Sequence, residues 1–533
     1  MVRIEGNIVD IVGKEIFEGS VEAEKGIISA VRRHPTKSRS YITPGFVDAH
    51  VHIESSMLTP ENFGRAAIRQ GTVAVVTDPH EIANVMGAEG IEFMMENSRR
   101  SPLKTFFTIP SCVPATSFDR AGGTVSSEEV ARLAASGRFV GLSEMMDVPG
   151  VLSGDREVTA KLDAARRFGL PVDGHAPLLS GARLAGYAGR GISTDHECVS
   201  LAEAEEKIAL GMKILIREGS AACNYEALKP LIRTHPDRVM FCTDDSHPRE
   251  ILSGGHLRRH VARSVADGFD LFDVLRIASL NPVRHYGLDV GLLQAGDKAD
   301  FIVVNDLETF EVQQVYIGGA ARPESTMSPV RPVMPNRFAH EGVTPSSLRK
   351  AVDGPMQAIS LIDGEILTRA VTYSPGRPLT NLECDPAEDI AKIVYVNRYD
   401  NGIPQVAFCK GSGLRTGALA SSVSHDSHNI IAVGCSDEEL AGAINAVVEC
   451  KGGIAVCRAG KTEILPLPIG GIMSDRSAEE VDTAYRKLER MAAEMGCTLG
   501  APFMTLSFLS LVVIPELRIG ERGLFSYSRF DWI

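Results

Sequence analysis

The sequence predicts an α/β protein with a (β/α)8 barrel of the TIM type at its centre. It also predicts a small β-sandwich domain built from both flanks of the barrel and an additional C-terminal α/β or α+β domain. Three observations predict this fold class. Apolar, β-branched segments alternate with amphipathic stretches through residues 41–245, short strand-like segments flank that region, and a new pattern begins after a Pro-rich stretch. Such alternation indicates parallel βαβ units.

The central region contains eight strand-like segments, each followed by a helix-like stretch. Eight βα units over about 250 residues fit a single closed barrel. An open, doubly wound sheet is the alternative fold for the same alternation. The eight segments are Tyr41–His52, Gly71–Pro79, Lys104–Ser111, Phe139–Met145, Pro171–Pro177, Gly191–Cys198, Lys213–Ser220 and Arg238–Asp245.

The flanking segments predict the domain organisation. Ile4–Val31 and Asp300–Gly319 both contain short strands and turns, and the two ends of a domain often lie close together. The Pro-rich stretch Arg322–Pro335 is typical of a linker. The predicted domains are residues 1–43 with 290–335 (small β-domain), 44–289 (barrel) and 338–533 (C-terminal domain).

Composition excludes several classes of protein. The 533 residues include 55 Lys and Arg against 68 Asp and Glu, and a net charge of −13 disfavours nucleic acid and anionic membranes as partners. Ten cysteines without a CxxC pair, and an N-terminus without the apolar run of a secretory signal, predict a reducing cytoplasm. The most apolar segment, Phe503–Ile514, is too short to span a bilayer. It is expected to be a buried strand or helix, or an oligomer surface.

The first predicted barrel strand ends in His50-Val51-His52. Residues i and i+2 of a strand share one face, so both imidazoles are expected to point into the barrel mouth, where active sites of such barrels lie. By itself this pair is a weak signal, since a chance pair of surface histidines is the better explanation of it.

Polar residues at four further strand ends make a metal centre the better interpretation. The fourth strand carries Glu144, the fifth and sixth end in His175 and His196, and the eighth ends in Asp244-Asp245. Imidazole and carboxylate together suit zinc, manganese or ferrous iron. Alternation along a strand lets one of the two aspartates face the metal, and Asp244 is favoured because it follows the apolar strand more closely. The predicted ligands are His50, His52, Glu144, His175, His196 and Asp244.

With these residues in place, the chain resembles the amidohydrolase superfamily. Pro44–His52 looks like the superfamily's first-strand motif, and Gly296–Val304 looks like the segment where its chain re-enters the small β-domain. One departure concerns the fourth strand, where many members carry a carboxylated lysine between two metals. Here Glu144 takes that place. The resemblance implies either a bridge between two cations, which we favour, or a site for one.

Within the superfamily the chain is most similar to the adenine deaminases. The resemblance implies hydrolysis of adenine to hypoxanthine and ammonia by a metal-activated hydroxide, in nucleobase metabolism and purine salvage. It implies manganese or iron, with zinc as an alternative, and adenine as the small-molecule partner; a homo-oligomer is also expected. It rests on four stretches, His52–Met57, Thr77–Val85, Thr243–Asp245 and Ser424–Ile430.

The same resemblance assigns roles to single residues. Asp244 is expected to bind a metal and to accept the proton of the attacking water, with Glu144 and His80 as further catalytic groups. Alternatively, His80 and Glu81 have only a structural role in the first turn of a helix, and Asp245 only forms hydrogen bonds with the loop Ser246–Pro248 that follows it. His425 and His428 belong either to a lid over the purine or to a solvated turn. The expected substrate-binding residues are Glu81, Asp245, His425 and His428.

Three other functions compete with this one. A cyclic amidohydrolase of the hydantoinase or dihydroorotase type would usually carry the missing fourth-strand lysine. An N-acetyl sugar phosphate deacetylase also uses a glutamate there, but does not account for Thr77–Val85 or the C-terminal domain. A non-catalytic scaffold is expected to have lost metal ligands, and all six are present here.

Overall fold

The computed structural model describes residues 1–220, 222–322 and 335–533. Residues 323–334, which form most of the predicted linker Arg322–Pro335, lie outside the described residues. No helix of the described part is both long enough and apolar enough to cross a membrane.

The chain begins with an antiparallel sheet whose strands place alternate residues in a small core. Ile8, Val21, Ile28 and Ile42 point into that core and are almost fully buried. The first three strands form a meander, and the fourth pairs with the first in parallel. These strands are β1 Val2–Asp10, β2 Glu15–Glu24, β3 Ile27–Arg33 and β4 Tyr41–Pro44.

Eight parallel strands form the barrel. They run as a five-stranded and a three-stranded sheet, which bridges at Val172–Ile192 and Val51–Asp244 join into a closed ring. The prediction of a barrel is therefore confirmed, and the open sheet is not observed. The strands are β5 Phe46–Val51, β6 Thr72–Thr77, β7 Lys104–Ile109, β8 Phe139–Met145, β9 Val172–Gly174, β10 Thr194–Asp195, β11 Lys213–Arg217 and β12 Val239–Cys242.

The first predicted strand, Tyr41–His52, is divided in two at Gly45. Residues before it belong to β4 of the small sheet, and residues after it form β5 of the barrel. A Cβ atom at Gly45 would lie 2.2 Å from Cγ1 of Val73, so only glycine fits where the chain passes from one sheet to the other. A continuous apolar run concealed this break.

Helices surround the barrel, and several begin at a serine or threonine whose side chain accepts a backbone N–H. Thr59, Ser126 and Ser200 are such caps. The α-helices are Pro60–Ile68, His80–Met86, Ala88–Ser98, Ser127–Ala135, Val148–Ser153, Arg156–Arg167, Gly181–Ala188, Leu201–Ala209, Tyr225–Leu228, Leu231–Thr234, Pro248–Leu252, Leu257–Ala266, Leu271–Leu275 and Asn281–Tyr286. Short 3₁₀ or π segments are Ile53–Ser56, Pro236–Arg238 and Arg276–Leu280.

After the barrel the chain returns to the first sheet. Strand β13 pairs with β4 in antiparallel fashion, which produces seven strands in the order β15-β14-β13-β4-β1-β2-β3. Both flanks therefore contribute to one sheet. The added strands are β13 Phe301–Val304, β14 Val312–Ile317 and β15 Ala320–Arg322.

The C-terminal part is built on a nine-stranded sheet of order β17-β16-β20-β19-β22-β21-β23-β24, with β18 beside β19. Its strands are β16 Met356–Leu361, β17 Thr368–Tyr373, β18 Cys384–Asp385, β19 Ile390–Val396, β20 Gln405–Lys410, β21 Ala418–Ser421, β22 Ile430–Gly434, β23 Gly453–Arg458 and β24 Lys461–Pro466. A final meander consists of β25 Leu517–Gly520, β26 Gly523–Ser526 and β27 Asp531–Trp532.

Helices cover this second sheet. Asp437–Glu449 packs its apolar side, including Leu440, Ile444 and Val447, against the strands. The segment predicted as apolar, Phe503–Ile514, forms a helix and a 3₁₀ turn and is largely buried. The helical segments are Pro345–Leu348 (3₁₀), Asp437–Glu449, Ala478–Glu494, Pro502–Ser507 and Phe508–Ser510 (3₁₀).

Candidate active site

The two histidines of strand β5 meet at the barrel mouth. His50 and His52 are both about 3% exposed, and their Nε2 atoms lie 3.1 Å apart. Nδ1 of His52 lies 3.2 Å from the backbone oxygen of Asp78, which can only accept, so the proton of a neutral His52 ring lies on Nδ1. The lone pair of Nε2 is then directed at the other imidazole. Such an arrangement suits a cation between the rings.

Glu144 lies between His52 on one side and His175 and His196 on the other. Its Oε1 atom is 3.4 Å from Nε2 of His52, whereas Oε2 is 2.8 Å from Nδ1 of His175 and 3.2 Å from Nε2 of His196. The side chain is almost fully buried at the end of β8. Each carboxylate oxygen thus faces a different set of ring nitrogens, the geometry expected of a bridge between two cations.

Asp244 completes this cluster. Its Oδ1 atom lies 3.2 Å from Nε2 of His50 and 3.3 Å from Nε2 of His52. Its backbone N–H donates to the carbonyl of His50, and its carbonyl accepts from the N–H of His52. Burial by itself would raise the pKa of Asp244, but Arg217 and the histidines hold it well below its usual range. The carboxylate is therefore ionised.

The alternation argument for Asp245 is wrong. Strand β12 ends at Cys242, and Asp244 has a φ of +52°, so the chain has already left the extended conformation. As a result both aspartates line the same cavity. Oδ1 of Asp245 lies 2.5 Å from the hydroxyl of Ser55, so its side chain does not serve its own loop alone.

His80 opens the helix His80–Met86 and also lines the cavity. Its Nδ1 atom donates to Oδ2 of Asp78 at 2.8 Å, and Nε2 lies 3.7 Å from Oδ1 of Asp426. Burial lowers the pKa of His80, yet Asp78 and Asp426 raise it well above the usual value overall. A buried imidazole anchored on a carboxylate in this way is a candidate proton donor.

Glu81, His425 and His428 form a second buried cluster where the C-terminal part meets the barrel. Nδ1 of His425 is 3.4 Å from Oε1 of Glu81, and Nε2 of His428 is 3.6 Å from Oε2. Nδ1 of His428 accepts the N–H of Ser424, which leaves the ring proton on Nε2. Burial, and then the neighbouring His425, hold the pKa of His428 well below its usual value. Oε2 of Glu81 and Nε2 of His428 have no hydrogen-bond partner, and the donor atoms of the trio lie close enough together to hold a cation.

A cavity lined by residues of both clusters lies between them. His425 stacks on Phe508 at 4.5 Å between ring centroids, and the loop Ser424–Ile430 is buried. The solvated turn considered from the sequence is therefore not observed. The apolar walls of the cavity are Met146, Ile366, Phe508, Leu511 and Ile514.

Several residues of this site were not found from the sequence. Arg217 and Glu197 form an ion pair beside Asp244, Asp426 contributes a buried oxygen without a hydrogen-bond partner, and Phe508 forms a wall. Arg217 ends β11 and Glu197 follows β10 by two residues, inside the two predicted segments, so the strand-end rule could have included them. Asp426 lies in the stretch Ser424–Ile430 that carries the resemblance, but nothing local distinguishes Phe508, whose position depends on packing between the two parts of the chain.

The donor atoms fit a divalent metal. Four imidazoles and two carboxylates converge within a buried region, and Nε2 of buried His175 has no hydrogen-bond partner. Carboxylates with neutral imidazoles are ligands for borderline divalent cations such as zinc, manganese and ferrous iron. Nitrogen lone pairs and ionised oxygens this close together are favourable only with positive charge among them.

Comparison with known proteins agrees with this description. The family model described as "Amidohydrolase family" matches residues 41–322, and "Adenine deaminase C-terminal domain" matches residues 365–531. The chain is 46% identical to "Adenine deaminase" of Methanosarcina mazei, over 100% of this chain and 99% of that protein. It is 47% identical to "Adenine deaminase" of Salinibacter ruber, over 99% of this chain and 98% of that protein.

The barrel fold, the buried cluster of candidate metal ligands and the match to the family model together define a metal-dependent hydrolase of the amidohydrolase family. The C-terminal part matches the domain described for adenine deaminases. The chain belongs to the adenine deaminase family, with which it aligns over its whole length. The resemblance noted from the sequence is confirmed.

Proposed function

We propose that the cavity at the barrel mouth binds adenine and hydrolyses it to hypoxanthine and ammonia. The observation that supports this proposal is that the cavity has one polar wall and one apolar wall. A buried set of imidazoles and carboxylates forms one side, and apolar residues of the C-terminal part, among them Phe508 and Leu511, form the other. A flat, apolar base fits such a space with its amino-bearing carbon against the polar side. A steady-state assay with adenine tests the proposal directly.

Two divalent cations are proposed for this site. His50, His52 and Asp244 would hold one with Oε1 of Glu144, and His175 and His196 would hold the other with Oε2. The separate contacts of the two glutamate oxygens support this division. A bound divalent cation lowers the pKa of water toward neutrality and so supplies a nucleophile at neutral pH. Manganese or iron is preferred, with zinc as an alternative.

The side chains then carry the protons. Ionised Asp244 would accept the proton of the attacking water, because its oxygen lies against the two first-strand histidines. His80, held by Asp78, would pass a proton to the ring nitrogen or to the leaving amino group. Glu81, Asp245, His425 and His428 would bind the base, and the loop of His425 would exclude water. A cytoplasmic location, a homo-oligomeric state and a role in purine salvage stay predictions.

The metal stoichiometry is the first expected result. Protein stripped with a chelator and reloaded with manganese should bind two equivalents per chain, because two sets of donors share Glu144. Atomic emission measures the metal, and the adenine assay is run on the same samples. Full activity at one equivalent would instead assign a single cation to the site.

Substrate size provides the second expected result. Adenosine should have a kcat/KM at least about 100-fold below that of adenine, because a ribose at N9 would have to fit against the apolar wall that includes Phe508 and Ile514. The absorbance change on deamination follows both reactions. The analogue 9-methyladenine serves as control and should lose less than adenosine. Equal rates on adenine and adenosine would mean that the cavity does not enclose the base.

A further inference from the structure

Strand β11 contributes none of the six proposed ligands, yet its last residue lies inside the site. Arg217 is 5% exposed and lines the cavity. Its Nη1 atom donates to Oδ2 of Asp244 at 2.7 Å, and both Nη1 and Nη2 donate to the carboxylate of Glu197. We propose that Arg217 is a positioning residue that presents Oδ1 of Asp244 alone to the metal centre, and that Glu197 fixes Arg217 for this task. The inference rests on the proposed site.

The two oxygens of Asp244 have separate environments. Oδ1 faces His50 and His52 at 3.2 and 3.3 Å, whereas Oδ2 is 2.7 Å from Arg217. The backbone of Asp244 is already fixed by two hydrogen bonds to the first strand and adopts a φ of +52°. Rotation of the side chain is thus the main freedom left. The charge-assisted hydrogen bond from Arg217 to Oδ2 restricts this rotation. It therefore prevents both oxygens of Asp244 from turning toward one cation.

Glu197 in turn orients the guanidinium group. Its two oxygens accept from two different nitrogens of Arg217, the fork-like pairing that only arginine provides. The backbones of both residues are also fixed by hydrogen bonds. The N–H of Arg217 donates to the side chain of Asn224, and the N–H of Glu197 donates to the side chain of Asp195. The ion pair therefore connects the ends of the sixth, seventh and eighth barrel strands.

A simpler role for Arg217 is to neutralise Glu197, without any effect on Asp244. Removing one partner of a buried ion pair is strongly destabilising, whereas removing both is often tolerated. The two roles therefore differ in a double variant. Glu197 also lies 3.3 Å from Nε2 of His196, so the double variant is compared with Glu197→Gln alone. If charge balance is the whole function, adding Arg217→Met to Glu197→Gln should cause no further defect. If Arg217 holds Asp244, the double variant is more defective than Glu197→Gln, since nothing then binds Oδ2.

The test uses the full chain loaded with manganese. We expect Arg217→Met to speed manganese release by about 10- to 100-fold, the range typical for loss of a residue that orients a ligand, and to alter the EPR spectrum of the bound manganese. Its kcat should fall far more than its KM rises, because the change affects the metal ligand. Arg217→Lys should restore part of the loss, and the double variant should release manganese as fast as Arg217→Met.

A control arginine lies on the outside of the same barrel. Arg263 pairs with Glu218 and Glu226 and is about one-third exposed, so Arg263→Met removes a comparable ion pair away from the cavity. It should leave manganese release and the EPR spectrum unchanged. The midpoint of thermal unfolding is recorded for every variant, to separate lost stability from lost positioning.

Two outcomes would overturn the inference. One is a double variant with the manganese release and spectrum of Glu197→Gln alone; the other is an Arg217→Met variant that changes only its unfolding midpoint. Manganese release is measured without substrate, so it does not depend on turnover. A wild type that retains manganese but does not deaminate adenine contradicts the proposed function and leaves this test intact, whereas a wild type that retains no manganese overturns both.

Discussion

A Glu144→Gln variant is expected to lose most of its bound metal and nearly all of its activity. The two carboxylate oxygens of Glu144 face different sets of histidines, at 3.4 Å on one side and at 2.8 and 3.2 Å on the other. An amide offers one weakly ligating oxygen and a nitrogen that cannot ligate. Bound cations stabilise the charge that develops in the transition state of such reactions by several kcal/mol. Loss of the metal should therefore lower kcat/KM by about 10³ or more.

The experiment requires metal content and rate on the same samples. Atomic emission gives the metal per chain, and the adenine assay is repeated with excess manganese to ask whether saturation restores the rate. Glu128→Gln, on the exposed side of the helix Ser127–Ala135, is the control and should match the wild type. A Glu144→Gln variant with full metal content and activity would show that the bridging assignment is wrong.

The barrel could be predicted because its signal is local and repeated. Each strand is a short apolar run bounded by polar turns, and strands such as Thr72–Thr77 and Phe139–Met145 lie inside the segments predicted for them. The division of the first segment at Gly45 could not be predicted, because the chain stays apolar across it. What decides that break is the contact with Val73, which is 28 positions away in the sequence and visible only in three dimensions.

The polar side of the candidate site was predictable for a related reason. In a closed parallel barrel all strands end at one mouth, so residues such as Glu144 and His196 must converge once the strands are known. The opposite side depends on how the C-terminal part packs. Phe508 was predicted only as part of a buried or interfacial apolar segment, and no periodicity indicates that it would meet His425. Interfaces between separately folded parts leave no local pattern.

The position of Asp245 could not be predicted from the alternation of side chains along a strand. Alternation is valid only while the backbone stays extended, and β12 ends two residues before Asp244. The positive φ of Asp244 then turns the chain, so that its neighbour also reaches the cavity. Which of the two aspartates would bind metal and accept the proton must therefore be decided by experiment.

Asp244→Asn should lower kcat by about 10²–10⁴, roughly 3–5 kcal/mol of barrier, with a much smaller change in KM. An asparagine keeps one oxygen that can ligate weakly, but an amide cannot accept a proton from water at neutral pH. Asp245→Asn is the matched comparison. It should be milder and act mainly on KM, because Asp245 lines the cavity and contacts Ser55.

The comparison between the two variants must be made at matched metal occupancy, because lost metal would imitate a lost base. In the Asp244→Asn variant the amide oxygen can still accept a hydrogen bond from Arg217, but that oxygen then no longer faces the histidines. Part of the defect could therefore come from a turned side chain, and the metal content of each sample separates this from the loss of the base. If Asp245→Asn proves the more damaging change at equal metal content, the proton is accepted by Asp245, and Asp244 serves as a ligand alone.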